Sequence, residues 1–238
     1  MIDEKFAGEI INCLINEVRQ PLSSYNDTRP PWNIELAVQC LSEVRNLSTL
    51  AEAARRLLKV VCSLLEYYRT DIRLEHYEVS KEQFLEKQVV TFVETIGHNC
   101  PHRRVLVEWL RELKVFDVRW HWATLVGKFI GSVGKGLHEI HQAIFKYATH
   151  SDNAYRILAQ FALVKGWRND PQTLPILQDH AVNDSDDYVR GAAVSALAQN
   201  FRDDPQTLPM LQNRVENDPS QRVRKEAKWL ADNLSADK

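Results

Sequence analysis

The six residues Asp-Pro-Gln-Thr-Leu-Pro occupy positions 170–175 and return unchanged at 204–209, a spacing of 34 residues. The match widens on both sides. Gly166-Trp167-Arg168-Asn169 aligns with Asn200-Phe201-Arg202-Asp203, Asn183-Asp184 with Asn217-Asp218, and Val189-Arg190 with Val223-Arg224. Tyr155-Arg156 holds the same register one period earlier, and Ala159, Ala193 and Ala227 share a column. A fixed period of this length marks stacked copies of one supersecondary unit, none of which can bury its apolar face alone. Such arrays more often present surfaces than perform chemistry.

Each copy reads as two helices. Asp170 or Asp204 is placed to cap the first, whose early proline, Pro171 or Pro205, lacks an N–H exactly where no intrahelical partner exists for one. Leu174, Leu177, Leu208 and Leu211 form its apolar stripe. An acidic turn follows at 183–187, where Asp184 or Asp186 can cap a second helix that buries Val189, Ala193, Ala196 and Leu197. The remainder is helical in pattern too: only 8 glycines and 9 prolines punctuate 238 residues. Long helices are expected near 4–19, 32–45, 49–69 and 81–97. Phe6, Ile10, Ile11, Leu14, Ile15 and Val18 stripe the first, and Ile34, Ala37, Val38 and Leu41 the second. Pro21, Pro30-Pro31 and Ser48 bound these helices, a Ser80/Gln83 capping box opens the fourth, and 70–79 reads as a linker. Shorter helices follow near 101–114, 117–130, 136–149, 152–166, 171–182, 186–200, 205–216 and 220–234. The expected fold is all-α, with an N-terminal helical bundle over 1–100 and a repeat array over 101–238. Three copies are clear from about 150, and a degenerate one starts at Asp117-Val118-Arg119.

The pattern Asp-x-x-x-x-Val-Arg-x-x-Ala-x-x-x-Leu, as written across 184–197 after an Asp-Pro helix start, resembles the HEAT-repeat family. It is most similar to short bacterial HEAT repeats of the phycobilisome-lyase type. Arrays of similar wording occur at the C-terminal sensor ends of cyanobacterial STAND (NACHT) NTPases. The resemblance covers about 150–234, and residues 1–100 resemble no named family. It implies a helical-hairpin solenoid whose second helices line a concave face. It also implies a non-enzymatic scaffold or sensor module for a protein or peptide. A chromophore lyase or chaperone of the phycobilisome-lyase type is an alternative. So is a HEAT-like DNA glycosylase, compared at the level of fold alone.

Charge bears on the last reading. Residues 1–150 carry 19 basic and 19 acidic side chains and residues 151–238 carry 11 and 13, so neither part advertises nucleic acid. No apolar run is long enough to cross a bilayer, and the first residues lack a signal-peptide pattern. Cytoplasmic placement is therefore expected, with Cys13, Cys40, Cys62 and Cys100 as buried reduced thiols.

Catalytic motifs do not survive inspection. The glycine-rich stretch 127–136 fails as a phosphate loop, because Phe129 stands where its first glycine belongs and Gly136 where Ser or Thr should follow Lys135. An inter-helix turn using Gly131 and Gly134 is expected instead. His98, Cys100 and His102 supply only three donors, and His138 and His141 have no completing carboxylate, so capping or surface roles are expected and no metal or other cofactor. Arg156, Arg190 and Arg224 recur once per copy, where each can reach an acidic turn of the neighbouring copy (Asp152, Asp184, Asp186 or Asp218). The expected partner face is the column opposite the buried stripe of the second helices. It contains Phe161, Val194, Ser195, Lys225, Lys228 and Trp229, any of which could instead pack on the adjacent helix. Trp120 and Trp122, beside Trp109, Asp117 and Arg119, form a second aromatic cluster, as core or as site.

Overall fold

In the computed structural model the described residues are 4–17, 32–44, 50–70, 89–94, 96–115 and 120–236, and among them every regular element is a helix. In order these are α1 (Glu4–Glu17), α2 (Trp32–Ser42), α3 (Ala51–Thr70), α4 (residues 89–94), α5 (Val105–Glu112), α6 (Trp120–Gly134), α7 (His138–Ala148), α8 (Asn153–Trp167), α9 (Thr173–Asn183), α10 (Asp187–Asn200), α11 (Thr207–Asn217) and α12 (Gln221–Ala236). No described helix is long and apolar enough to span a membrane. The expectations at Pro21, Pro30-Pro31, Ser48, 71–79, Ser80 and Gln83 lie outside the described residues, as do those at Asp117 and Arg119.

The chain divides into two compact units. One comprises Met1–Leu113 with Ser132–Ile140, the other Lys114–Gly131 with His141–Lys238. The boundary expected at residue 100 falls inside the first of these units. In the first unit α1 and α2 pack together and against α3. Ile34, Ala37, Val38 and Leu41 are buried as their spacing predicts. On α1 the buried line is Ala7, Ile11 and Ile15, so Phe6 falls on its rim and is exposed. Cys62 and Cys100 are buried, but Cys13 is exposed and Cys40 half-buried, which corrects the expectation of four buried thiols. Burial pushes the Cys100 thiol up to about 12, so it carries no thiolate at neutral pH.

The second unit carries the repeat. Helix α10 packs on α8, α9 and α12, and α11 packs on α12. Leu177, Ala181, Val189, Ala193, Ala196, Leu197, Leu211, Val223 and Ala227 make its core, with Leu174 and Leu208 half-buried at the edge. The hexapeptide works differently from the simple cap expected. Asp170 and Asp204 accept from the amides of Gln172 and Gln206 at 2.9 Å, and their carbonyls accept from Thr173 and Thr207 N–H, closing a turn before each helix begins. The threonine is the anchor. Buried Thr173 donates to the Trp167 carbonyl at 2.8 Å, and Thr207 to that of Phe201 at 2.7 Å, tying each first helix to the end of the helix before it. Pro175 and Pro209 then fall at the third helical position, where no intrahelical hydrogen bond is lost. The second helix is capped as the turn predicts: Asp186 accepts from the amides of Tyr188 and Val189.

The glycine stretch is a correction. Gly131 lies inside α6 rather than in a turn, and the turn comes at Lys135–Gly136, where Gly136 has φ +82°. Along α6 a Cβ at Gly127 would sit 2.4 Å from the Leu158 carbonyl oxygen, and one at Gly131 2.4 Å from that of Ala162. Gly166 on α8 meets the Gly131 carbonyl just as closely. These three glycines let two helix backbones touch.

Candidate partner-binding face

Neighbouring copies are tied by one arginine each. Arg156 donates through Nε and Nη2 to both carboxylate oxygens of Asp184 at 2.8 Å, and through Nη1 to the His150 and Ser151 carbonyls. Arg190 repeats the arrangement one copy on, with Asp218 at 2.9 and 3.0 Å and the Asp184 and Ser185 carbonyls on Nη1. The expected arginine ladder is thus structural for Arg156 and Arg190, formed with Asp184 and Asp218, whereas Arg224 bonds the Asp218 and Pro219 carbonyls of the turn before its own helix. Burial alone would raise the Asp218 carboxyl. The Arg190 fork, the Ser220 amide and the Arg190 and Arg214 charges outweigh it and hold the group below the usual carboxylate range.

A second tie lies deeper. His180 is buried on α9, with Nε2 2.9 Å from the Ala148 carbonyl oxygen and Nδ1 2.8 Å from Gln160 Nε2. The carbonyl can only accept, so Nε2 carries the proton and Nδ1 accepts from the amide. Burial holds this imidazole below its ordinary range, against the pull of the Asp184 charge. One copy on, Arg214 takes the same place and points Nη1 at the Val182 carbonyl, 3.5 Å away.

The buried side of the second helices is so occupied. The residues expected on the opposite side divide. Val194 is fully buried, because the neighbouring α8 and α12 cover both flanks of α10. Phe161 is half-buried, with Lys128 Nζ 5.8 Å from its ring centre. Ser195 is half-buried and donates to Glu226. Lys225 and Lys228 are exposed, Lys228 lying 3.5 Å from Asp232. Trp229 is 65% exposed, the most open large apolar side chain among the described residues. Of the second cluster, Trp122 is buried whereas Trp120 is exposed, its ring 3.8 Å from that of His121. Trp109 is half-buried.

Tyr188 was missed. It is exposed on the first turn of α10, with the Arg222 guanidinium 4.3 Å from its ring centre. Arg222 also donates to the Asp187 carbonyl, and Asp187 is held below the usual carboxylate range by the Ser220 hydroxyl and then by Arg222. Gly191 makes this possible, since a Cβ there would sit 3.0 Å from the arginine tip. The signal was available: Tyr188 stands seven residues before Ser195, and Arg222 seven before Trp229, so each pair shares a helix face.

Among the described residues the histidines form no cluster that could hold a metal ion. His141 Nε2 lies 3.1 Å from an Asp170 oxygen and its ring stacks on Trp167 at 5.2 Å. His98, His102 and His138 are exposed, and among the described residues no group of His, Cys, Asp or Glu is arranged to hold a metal ion.

No curated protein and no solved structure matches this chain. A family model of HEAT repeats does, twice and in overlapping registers, over residues 103–198 and 141–231. The two matches cover more than half of the sequence and contain every inter-copy tie described above. The chain belongs to the HEAT-repeat family.

Proposed function

We propose that this chain is a non-enzymatic, cytoplasmic protein-binding module whose partner is held on the outward ridge of α10 and α12. The observation that carries this reading is Trp229. A tryptophan 65% exposed on a well-packed helix pays a hydration penalty that folding does not remove, and such residues are frequent anchors in protein interfaces. Its surroundings suit the role. Tyr188 under Arg222 supplies a second aromatic with its cation already in place, and Lys225 and Lys228 rim the apolar group. The similarity to sensor ends of STAND NTPases supports a regulatory use of such binding.

Affinity capture from native cell extract, read by mass spectrometry, tests the reading when wild type is compared with Trp229→Ala. A partner retained by the wild type and lost by the variant, with unchanged melting, is the expected result. Identical capture by both proteins would remove Trp229 from the interface.

A further inference from the structure

We propose that the second helices carry a docking strip for an acidic segment of a partner protein. It runs obliquely from Lys128 on α6, across Phe161, Lys165 and Arg168 at α8, to Phe201 at the end of α10. The strip extends the protein-binding reading to α6 and α8, and rests on that reading for the class of partner. Its members are joined by contacts. Lys128 Nζ stands 5.8 Å from the centre of the Phe161 ring. Phe161 and Lys165, one turn apart on α8, face the two bare positions of α6. A Cβ at Gly127 would lie 3.0 Å from that of Phe161, and one at Gly131 3.0 Å from that of Lys165. Arg168 keeps helical dihedrals just past the last residue of α8 and so shares the face of Lys165, three residues before it. Its guanidinium lies 5.5 Å from the centre of the Phe201 ring. The three cations are exposed and both rings are half-buried.

Counter-charge is missing from this layer. Helices α6 and α8 contain no Asp or Glu, and α10 has Asp187 alone, whereas α7, α9 and α11 have one acid each. Asp187 lies in the first turn of α10, roughly 20 Å along the helix from Phe201, and its carboxylate is taken by Ser220 and Arg222. Asp170, two residues past Arg168, accepts from the Gln172 amide and faces His141. Among the described residues no carboxylate lies within ion-pair distance of Lys128, Lys165 or Arg168. The whole chain has 30 basic and 32 acidic side chains, so the local excess is a matter of placement. Helix dipoles do not account for it. Lys165 and Arg168 lie at a helix C-terminus, where cations are favoured, but Lys128 is more than a turn from either end of α6.

The rings decide the class of ligand. Each is half-buried with a cation laid over it, so the strip offers no open aromatic platform of the kind on which single-stranded nucleic acid stacks its bases. The same contacts hold the ammonium and guanidinium groups against the surface. Carboxylates then meet cations already in position, with less side-chain ordering to oppose binding. An acidic segment with apolar residues between its carboxylates fits this pattern. Its carboxylates meet Lys128, Lys165 and Arg168, and its apolar groups meet the edges of Phe161 and Phe201.

The test is fluorescence anisotropy of the full chain at low salt with a short labelled peptide of repeated glutamate-glutamate-leucine. Its glutamine version and a thymidine oligonucleotide of equal charge are the comparison probes. The glutamate peptide is expected to bind, and the glutamine version roughly tenfold or more weakly. Replacing Lys128, Lys165 and Arg168 together by glutamine is expected to weaken the glutamate peptide by a similar factor. Replacing Lys59, Arg111 and Lys146 by glutamine removes as many exposed cations elsewhere and is expected to leave binding unchanged. Lys165→Glu alone is expected to give most of the loss, so the test stands if the first triple variant does not fold. No binding of the glutamate peptide overturns the strip, as does equal binding of the glutamine version or an equal loss in the two triple variants. Tighter binding of the oligonucleotide, lost with the same three cations, overturns the assignment to a protein. Failure of the peptide with Trp229-dependent capture intact sinks the strip alone. Peptide binding that needs the three cations, without that capture, sinks the Trp229 interface instead.

Discussion

Arg190 grips Asp218 across 28 residues of sequence with two parallel hydrogen bonds, and the aspartate side chain is wholly removed from solvent. A charge in that position is tolerated only while its partner is present. Arg190→Ala is expected to cost about 3 kcal/mol, because the buried carboxylate loses its two-pronged partner and keeps only the Ser220 amide and the more distant Arg214 guanidinium, 3.9 Å away. Asp218→Asn should cost less, since the amide still accepts from Ser220 N–H. Chemical denaturation of the two variants checks the order, and equal, small losses would show that the tie is not energetically coupled to the stack.

Acid should weaken the array in two stages. His180 is held neutral, so its contribution is complete above the unfolded imidazole range and is lost as pH falls from there through the depressed folded value. Asp218 is held charged, so its contribution persists to lower pH and is lost only as the solution falls below the ordinary carboxylate range. Thermal melts as a function of pH should show the first decline below about pH 6.5, the ordinary imidazole value. His180→Gln should remove that first stage and leave the second.

Gly131→Ala should force α6 away from α8. A methyl group 2.4 Å from the Ala162 carbonyl oxygen has no flexible neighbour to displace, so a loss of about 3 kcal/mol is expected. Lys128→Ala, on the exposed side of the same helix, should stay within about 0.5 kcal/mol of wild type. Calorimetry on the pair checks whether the close crossing, rather than helix propensity, sets the difference.

Leu197→Ala and Trp229→Ala are expected to behave in opposite ways. Leu197 is buried in the core of the array, and its truncation should cost about 2–5 kcal/mol. Trp229→Ala should leave the melt nearly unchanged and act on binding. A large loss of stability in the tryptophan variant would place that side chain in the fold rather than at a partner.

The paired helices, the Asp186 cap and the arginine ladder were legible in the sequence because each depends on residues at fixed separation. Periodicity identifies Val189, Ala193 and Leu197 as one face, and the recurrence of Val-Arg identifies the tie. The column opposite that face could not be resolved by projection. An inner helix of a stack is covered on both flanks, which buries Val194 and half-buries Ser195, whereas the same registers on α12 leave Lys228 and Trp229 open. The glycines of α6 were misread for a related reason. Gly-x-x-x-Gly spacing is compatible with a loop, and what makes it a helix crossing is the approach of Leu158 and Ala162 from elsewhere in the chain. Thr173 was passed over because its hydroxyl acts on a carbonyl six residues earlier, a bond with no compositional trace.

The buried pair of Gln160 and His180 changes between copies to Val194 and Arg214, and it changes together. Glutamine at 194 would bury an amide with no imidazole to meet it, and valine at 160 would strand the Nδ1 of His180. One member of the pair lies on the second helix of one copy and the other on the first helix of the next. The portion that can be cut, duplicated or transplanted without breaking this bond is therefore not the hairpin as the hexapeptide punctuates it. It is a second helix with the first helix that follows, and recombination that joins copies at the acidic turns keeps that segment whole, whereas a junction at Asp-Pro divides it.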